Sequence, residues 1–260
     1  NENLEAIEFF KHLNSVTTGR NPGALMIAEE STAWPKVTGN PEDDGLGFSL
    51  KWNMGWMHDF TEYMKLDPYF RKFNHGKMTF SLMYAYSENF ILVLSHDEVV
   101  HLKCSMLGKM PGDREDKFAN LKLAYAYMCG HPGKKLLFMG QEFGQWNEWS
   151  EKRSLDWYLL EDESHKELKD FTSACLKLNK NYRCLYETDY NSEGFRWINA
   201  NDKDNSVFSF IRISPDKKKH LLFVLNFTPV ERPSHRIGVP IKGKYKLVLG
   251  DDMKNQQKII

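Results

Sequence analysis

Short apolar segments that end abruptly in polar, hydrogen-bonding residues recur three times along the chain. The clearest is Phe90–Leu94. Five consecutive apolar residues are too few for most helices and predict a strand buried on both faces, as in a parallel sheet. The residues that follow it are Ser95, His96, Asp97 and Glu98. Such a strand delivers an imidazole and two carboxylates to one edge of the sheet, where α/β enzymes place their chemistry.

The two other segments of this kind also lead into carboxylates. Gly23–Ala28 is followed by Glu29 and Glu30, and Lys135–Gly140 is followed by Gln141 and then Glu142. An unpaired charge buried in a core is costly, so packing alone does not explain acidic residues after three buried strands. The pattern indicates a shared polar site at one edge of a sheet.

Apolar residues at intervals of three and four mark the helices of the first part of the chain. Asn3 and Asp113 are predicted to cap two of these helices, because an Asn or Asp side chain can accept hydrogen bonds from the first free amides. The predicted elements are a strand over Ala24–Ala28, a strand over Phe48–Asn53, and helices over Leu4–Val16, Met54–Met64, Phe118–Met128 and Ser164–Asn181.

From Tyr182 onward the pattern changes to short β-rich segments separated by turn residues, which predicts an antiparallel β domain. The predicted strands are Phe195–Ile198, Ser206–Ile213, His220–Phe227, His235–Val239 and Tyr245–Leu249. We therefore expect two domains, residues 1–181 and 182–260. The first contains four strand–helix units, which suits part of a parallel barrel, since eight units need about 250 residues.

Composition narrows the possible classes of partner. The 35 basic and 35 acidic residues give a formal charge of zero. Because the sequence has no long run of basic residues, we do not expect it to bind nucleic acid. The four cysteines lack paired spacing, so neither a zinc site nor a disulfide framework is predicted. No apolar run reaches about 18 residues, and the N-terminus does not resemble a signal peptide. We expect a cytoplasmic protein that does not contact a membrane and needs no cofactor or metal.

Aromatic residues make up 13% of the chain, with seven tryptophans. Aromatic rings pack cores and also stack on the apolar faces of sugars. Trp52 and Trp56, one helical turn apart, could therefore serve the core or a sugar site. The chain begins at Asn1 and enters a helical pattern at once, which leads us to expect a fragment or a processed product.

Two motifs resemble sequence regions of the α-amylase superfamily: Glu29 within Met26–Thr32 and Asp97 within Leu94–His101. More narrowly, the chain resembles the glycogen (1,4-α-glucan) branching enzymes from Asn1 to Leu160. The supporting stretches are Gly45–Phe48, Lys51–Asp59, Met110–Asp113 and Gly133–Phe143. A His-Asp pair alone would be a weak signal, but six stretches in this order are specific.

The resemblance implies retaining glycosyl transfer by the C-terminal half of a (β/α)₈ barrel, about strands five to eight, followed by an antiparallel β-sandwich. Glu29 matches the acid/base after the fifth strand, which protonates the leaving oxygen and then deprotonates the acceptor. Asp97 matches the transition-state stabiliser, and His96 a ligand of sugar hydroxyls. The remaining candidates for glucan contact are Trp52, Trp56 and Glu142, and Glu142 could instead only buttress the site.

Neighbouring polar residues have a simpler interpretation. Glu30 follows the position that matches the acid/base, so we expect it to support the loop, and Glu98 to bind a neighbouring group. His101 is expected to be structural.

One part of the family pattern is missing. The family nucleophile lies on the fourth strand in an Asp-Gly-aromatic-Arg-Val-Asp type motif, and the 260 residues contain none. The nearest candidate, Asp43-Asp44-Gly45, precedes no strand with the required Arg and second Asp. We expect the nucleophile and strands one to four to lie before Asn1, and the end at Gly250–Ile260 also looks short. The chain alone is then expected to be inactive.

Three hypotheses follow. The chain is part of a branching enzyme that cuts α-1,4 linkages and forms α-1,6 linkages in glycogen biosynthesis. Alternatively, it belongs to an α-amylase-type hydrolase, or it is a non-catalytic glucan-binding module. Because a half-barrel exposes sheet edges, we expect pairing with the missing half or with a second copy.

Overall fold

The computed structural model describes residues 2–250 of the chain, so the last part of the predicted C-terminal domain, beyond Gly250, lies outside the described residues. The helices are α1 (Leu4–Arg20), α2 (Met54–Lys65), α3 (Pro68–Arg71), α4 (Gly76–Thr79), α5 (Met106–Lys109), α6 (Arg114–Gly130) and α7 (Glu163–Asn181). The strands are β1 (Ile27–Ala28), β2 (Leu50–Trp52), β3 (Phe90–Leu94), β4 (Lys134–Leu137), β5 (Phe195–Asn199), β6 (Val207–Ile213) and β7 (His220–Asn226).

The first four strands form one parallel sheet in the order β1-β2-β3-β4. Sequential parallel neighbours need crossover connections. Helices α2–α4 lie in the β2–β3 connection and α5–α6 in the β3–β4 connection, whereas the β1–β2 connection contains only a 3₁₀ turn, Pro41–Asp43. This arrangement confirms the predicted half of a (β/α)₈ barrel. Strand β3 coincides with its predicted bounds and all five of its residues are buried, because it has a neighbouring strand on each side and helices behind it.

The outer strands differ from the prediction. Strand β1 comprises two residues instead of five, and Ile27 is 46% exposed. Strand β4 ends at Leu137 and its residues are only half-buried. The expectation that these segments are buried on both faces is wrong, because each lies at an edge of the four-stranded sheet and has one neighbour.

The helix starts follow their predicted caps. The Asn3 side chain accepts a hydrogen bond from the Ala6 amide at 3.0 Å, and Asp113 forms a capping box with Asp116 at the start of α6. Asn53, predicted as the last residue of a strand, instead caps α2 by accepting from the Trp56 amide at 2.8 Å. These caps determine the residue at which each of the three helices begins.

Strands β5, β6 and β7 form an antiparallel sheet in that order, which confirms three of the five predicted C-terminal strands. Within residues 2–250, neither His235–Val239 nor Tyr245–Leu249 forms the predicted strand, and Lys246 alone is in a β-bridge. Alternating apolar residues favour an extended backbone, but a continuous strand requires a partner along its length. The second layer of the predicted β-sandwich is likewise not present in that range.

The two sheets share a hydrophobic core. The Tyr63 ring on α2 lies 6.0 Å from Phe208 and 5.6 Å from Phe227, and the buried Arg71 guanidinium donates to the Phe227 carbonyl at 2.9 Å. The antiparallel sheet is therefore seated on α2 and α6. The domain boundary between residues 181 and 182 stays a prediction. No helix in residues 2–250 is long and apolar enough to cross a membrane.

Candidate active site

The register of the parallel sheet brings the predicted site residues to one edge. Ala28 pairs with Lys51, and Leu94 pairs with Leu137, so the carboxyl ends of β1, β3 and β4 point the same way. Glu29 follows β1 directly, and Asp97 follows β3. Since adjacent strands lie about 4.8 Å apart, β1 and β3 are separated by about 10 Å. Both acidic residues therefore follow strands of the same sheet at its carboxyl edge, with β2 between their two strands.

Glu29 and Glu30 point to different surroundings. The Glu29 side chain is exposed and makes no hydrogen bond to another residue of the described range 2–250. Glu30 accepts from the Thr32 amide at 2.6 Å, and these hydrogen bonds to Thr32 lower its pKa. Lys51 donates to the Thr32 carbonyl at 3.2 Å and also favours the charged form of Glu30. Glu30 therefore stabilises the turn, and Glu29 is left free.

A short 3₁₀ turn, His96–Val99, begins immediately after β3. The buried Glu98 carboxylate accepts from the Ser95 amide at 2.7 Å and the Ser95 hydroxyl at 2.9 Å, while Ser95 accepts from the Asp97 amide at 3.2 Å. This capping box turns Glu98 inward, as predicted for a hydrogen-bond partner of a neighbouring group. It leaves His96 and Asp97 half-exposed.

His96 and Asp97 are in contact at the edge. The His96 Nε2 atom lies 3.2 Å from Asp97 Oδ1. The Phe138 ring, directly after β4, lies 5.9 Å from His96 and 5.1 Å from Trp149. Phe138 and Trp149 were not predicted as part of a site. An aromatic residue directly after a strand was the only sequence signal for the first of them.

Glu142 is bent back toward its own strand. Its Oε2 accepts from the Gly140 amide at 2.8 Å, and Gly140 has a φ of +90° that a side chain would disfavour. The buried Gln141 donates to the Leu94 carbonyl at 3.2 Å and so ties this turn to the end of β3. These contacts favour the buttressing role over direct contact with sugar.

The two candidate tryptophans, Trp52 and Trp56, have different surroundings. Trp56 is 2% exposed and stacks on Phe60 with ring centroids 4.5 Å apart. The expectation that Trp56 contacts glucan is therefore wrong, since it occupies the first turn of α2 and faces the core. Trp52, half-buried at the carboxyl end of β2, remains a candidate for the wall of the site.

The loop after the Asp97 turn was predicted only as a connection. It contains Leu102, which is 95% exposed, and His101, which is exposed too. The Glu148 carboxylate accepts from the amides of Leu102 and Cys104 at 3.1 and 2.7 Å. Within residues 2–250, no group of three His, Cys, Asp or Glu residues is arranged to hold a metal ion. The edge thus presents the exposed Glu29, the contacting pair His96 and Asp97, and an ordered loop.

Comparison with known proteins adds a family context. Residues 197–260 match the model of the alpha amylase C-terminal all-beta domain. Over 96% of its length the chain is 61% identical to a 1,4-alpha-glucan branching enzyme of Butyrivibrio fibrisolvens and 53% identical to one of Thiobacillus denitrificans. It spans 39% and 34% of the lengths of those two proteins.

Solved structures share the fold. A cyclomaltodextrinase superposes with a TM-score of 0.56 at 19% identity, over 84% of this chain and 34% of that one. A debranching enzyme of Nostoc punctiforme superposes with a TM-score of 0.60 at 14% identity, over 84% of this chain and 45% of that one. At these identities the superpositions concern the fold alone.

Proposed function

We propose, from the premise that this chain is homologous to the C-terminal part of the 1,4-alpha-glucan branching enzymes, that it carries two catalytic acidic residues of such an enzyme. The reaction cuts an α-1,4-glucan chain and transfers it to a 6-hydroxyl. Glu29 is the acid/base and Asp97 stabilises the transition state. The nucleophile is supplied by a segment outside these 260 residues.

The observation that carries the proposal is a contrast within two adjacent pairs of carboxylates. Glu30 and Glu98 are bound to their own turns, whereas Glu29 and Asp97 are exposed or half-exposed at the same edge of the sheet. Glu29 has no side-chain partner within residues 2–250, and the only side chain that the Asp97 carboxylate contacts there is that of His96, itself a candidate ligand of sugar. Carboxylates that are not bound into the fold are available to a ligand. The contrast supports the assignment of Glu29 and Asp97.

Each group has a defined task in the proposed reaction. Glu29 donates a proton to the glycosidic oxygen as the nucleophile, outside these 260 residues, bonds to the anomeric carbon and the glycosidic bond breaks. It then takes the proton of the acceptor 6-hydroxyl as that oxygen bonds to the anomeric carbon and displaces the nucleophile. Asp97 and His96 hydrogen-bond sugar hydroxyls. Those bonds accelerate the reaction only to the extent that they strengthen in the oxocarbenium-like transition state.

The exposed sheet edges support the proposal of a partner segment. Three apolar side chains at the two outer strands of the sheet are exposed. Leu25 lies just before β1, Ile27 lies in β1, and Met139 follows β4. Completing a barrel would cover them and add strand neighbours to both edges. We therefore expect the chain alone to self-associate or to bind an upstream half.

The test compares the chain alone with a chimera. In the chimera, this chain replaces the matching region of the Butyrivibrio fibrisolvens enzyme. Both are incubated with amylose, while iodine absorbance, new α-1,6 linkages and new reducing ends are followed. We expect branching by the chimera and none by the chain alone.

The other outcomes have distinct meanings. Reducing ends without new branches would indicate an α-amylase-type hydrolase. Glucan binding without turnover by the chimera would indicate a non-catalytic module. Branching by the pure chain would show that a nucleophile lies within its 260 residues.

A further inference from the structure

The loop that follows the Asp97 turn has an unusual backbone. His101, Leu102 and Cys104 have φ values of 57°, 65° and 66°. This left-handed region is sparsely populated by residues other than glycine. Three such residues within four positions persist only where the surroundings hold them in place. The structure must therefore contain groups that fix this loop.

One such group is the ammonium of Lys109. It donates to the carbonyl oxygens of Glu98 and Lys103 and, at 2.6 Å, to the carbonyl of Cys104. A lysine ammonium has three N–H donors, and each has one of these carbonyls as a partner. Among the ion pairs of residues 2–250, none involves Lys109. Its contacts therefore organise backbone carbonyls, and it does not neutralise a carboxylate.

A second group, the Glu148 carboxylate, binds amides of the same loop. Glu148 accepts from the amides of Leu102 and Cys104. The carbonyls of the loop thus converge on a cation, while two of its amides converge on an anion. This division explains how an exposed loop keeps three left-handed residues.

The backbone that carries Lys109 is anchored in the core. It is the last residue of α5, whose Met106 and Leu107 are fully buried. The Ser105 hydroxyl caps that helix by accepting from the Gly108 amide at 3.0 Å. The core therefore anchors the helix from which the ammonium reaches the loop. One of its partners, the Glu98 carbonyl, belongs to the residue next to Asp97.

We propose that Lys109 is a positioning residue, which fixes the Asp97–Cys104 loop through its carbonyls and so holds Asp97 in place for the reaction. The catalytic part of this inference rests on the proposed function, whereas the loop-fixing part does not. Burial, aided by the positive charge of Lys65, lowers the pKa of Lys109 to about 8. Near pH 7 the ammonium therefore still supplies all three donors.

The first measurement is hydrogen exchange on the 260-residue chain, comparing Lys109→Met, Lys109→Arg and wild type. Methionine keeps an unbranched side chain, one heavy atom shorter, and removes the donors, while arginine keeps a charged donor. We expect the Leu102 and Cys104 amides to exchange about tenfold faster in Lys109→Met and near the wild-type rate in Lys109→Arg. Lys134→Met is the matched control, because Lys134 binds Asp189 and the Tyr186 carbonyl at the other end of β4. It should leave these two amides unchanged.

The second measurement is the kinetics of the same variants in the chimera. A displaced Asp97 weakens transition-state binding, so kcat should fall about tenfold to a hundredfold in Lys109→Met with little change in KM. Arginine should restore most of the rate, and Lys134→Met should keep kcat near wild type. Unchanged exchange in Lys109→Met, or a rise in KM at constant kcat, would overturn the proposal. A wild-type chimera without branching would refute the proposed function, and the exchange data would then decide the loop-fixing role alone.

Discussion

Two acidic residues at opposite ends of the parallel sheet, Asp189 and Glu29, have opposite surroundings. At the amino end of β4, Asp189 is 1% exposed and binds Arg212 at 3.0 Å, Lys134 at 3.0 Å and the Gly133 amide at 3.2 Å. At the carboxyl edge, Glu29 is exposed and has no hydrogen-bond partner within residues 2–250. One carboxylate has every oxygen paired, and the other has none paired.

The difference follows from what each group must do. A buried charge is tolerated only when paired, and Arg212, which is fully buried, needs Asp189 as well as the Gly130 carbonyl. This cluster joins β6 to the start of β4 and to the end of α6. A group that must bind substrate has to remain without a protein partner, even though this contributes nothing to folding. Burial with full pairing therefore marks Asp189 as a structural carboxylate, whereas exposure without a partner in residues 2–250 suits Glu29 as a candidate catalytic one.

The sharpest test of this distinction is Glu29→Gln in the chimera. Glutamine cannot donate the proton that the leaving oxygen needs, so we expect the branching rate to fall about a thousandfold. The unfolding temperature should not change, because Glu29 makes no contact that would be lost. Glu30→Gln is the adjacent control, expected to keep most activity. Near-normal turnover by Glu29→Gln would show that the acid/base lies elsewhere.

The complementary change is Asp189→Asn, which should act on stability instead. It leaves Arg212 buried without its counter-charge, so we expect the free energy of unfolding to fall by about 3–5 kcal/mol. Denaturant unfolding of the chimera would measure this. As a control, Asp162→Asn removes an exposed partner of Arg114 and should leave the midpoint unchanged. An equal effect of the two substitutions would remove the distinction between paired and exposed acids.

Acid should weaken the buried cluster in a defined direction. Burial acts to raise the pKa of Asp189, but the charges of Lys135, Arg212 and Lys134 outweigh burial and hold it below the usual value. The stability that this group contributes is therefore fully present above the ordinary aspartate pKa of about 4 and is lost as the pH falls through the lower folded value. Unfolding midpoints measured on either side of about pH 4 should fall less in Asp189→Asn than in wild type. A parallel decline in both proteins would assign the acid sensitivity to other carboxylates.

Local patterns predicted much of the framework. Strand β3 and the caps at Asn3 and Asp113 depend on neighbouring residues, so the sequence reveals them. The exposure of β1, and the absence of strands between β7 and Gly250, depend on which partners are present, which no local pattern contains.

The candidate site was predicted to a similar extent. The sequence predicted that Glu29, His96 and Asp97 follow strands, because each lies in a motif after an apolar segment, and their roles stay predictions. Trp56 was misplaced because a tryptophan suits both a core and a sugar site. The contacts of Lys109 and of Arg212 with Asp189 join residues whose pairing depends on the fold, and many lysines and aspartates could have formed them. Charge pairing is therefore the part of the molecule that the sequence reveals least.

The smallest expected effect concerns Leu102, at the carboxyl edge. A left-handed residue other than glycine costs roughly 1–2 kcal/mol, and the greater flexibility of glycine in the unfolded chain offsets part of that gain. Because Leu102 is almost fully exposed, its side chain contributes little packing. Leu102→Gly should therefore stabilise the fold by about 0.5–1 kcal/mol in denaturant unfolding.

The matched control for that change is Leu176→Gly, which replaces another exposed leucine, within α7. Glycine there should destabilise the fold by about 1 kcal/mol, because helical backbone favours residues with a side chain. Opposite signs for the same replacement would show that the backbone at Leu102, close to Asp97, is strained. The carboxyl edge would then differ from the other end of β4, where the buried charges are paired. If both substitutions destabilised the fold, the Leu102 side chain itself would support the loop, and strain would no longer distinguish the two ends of the sheet.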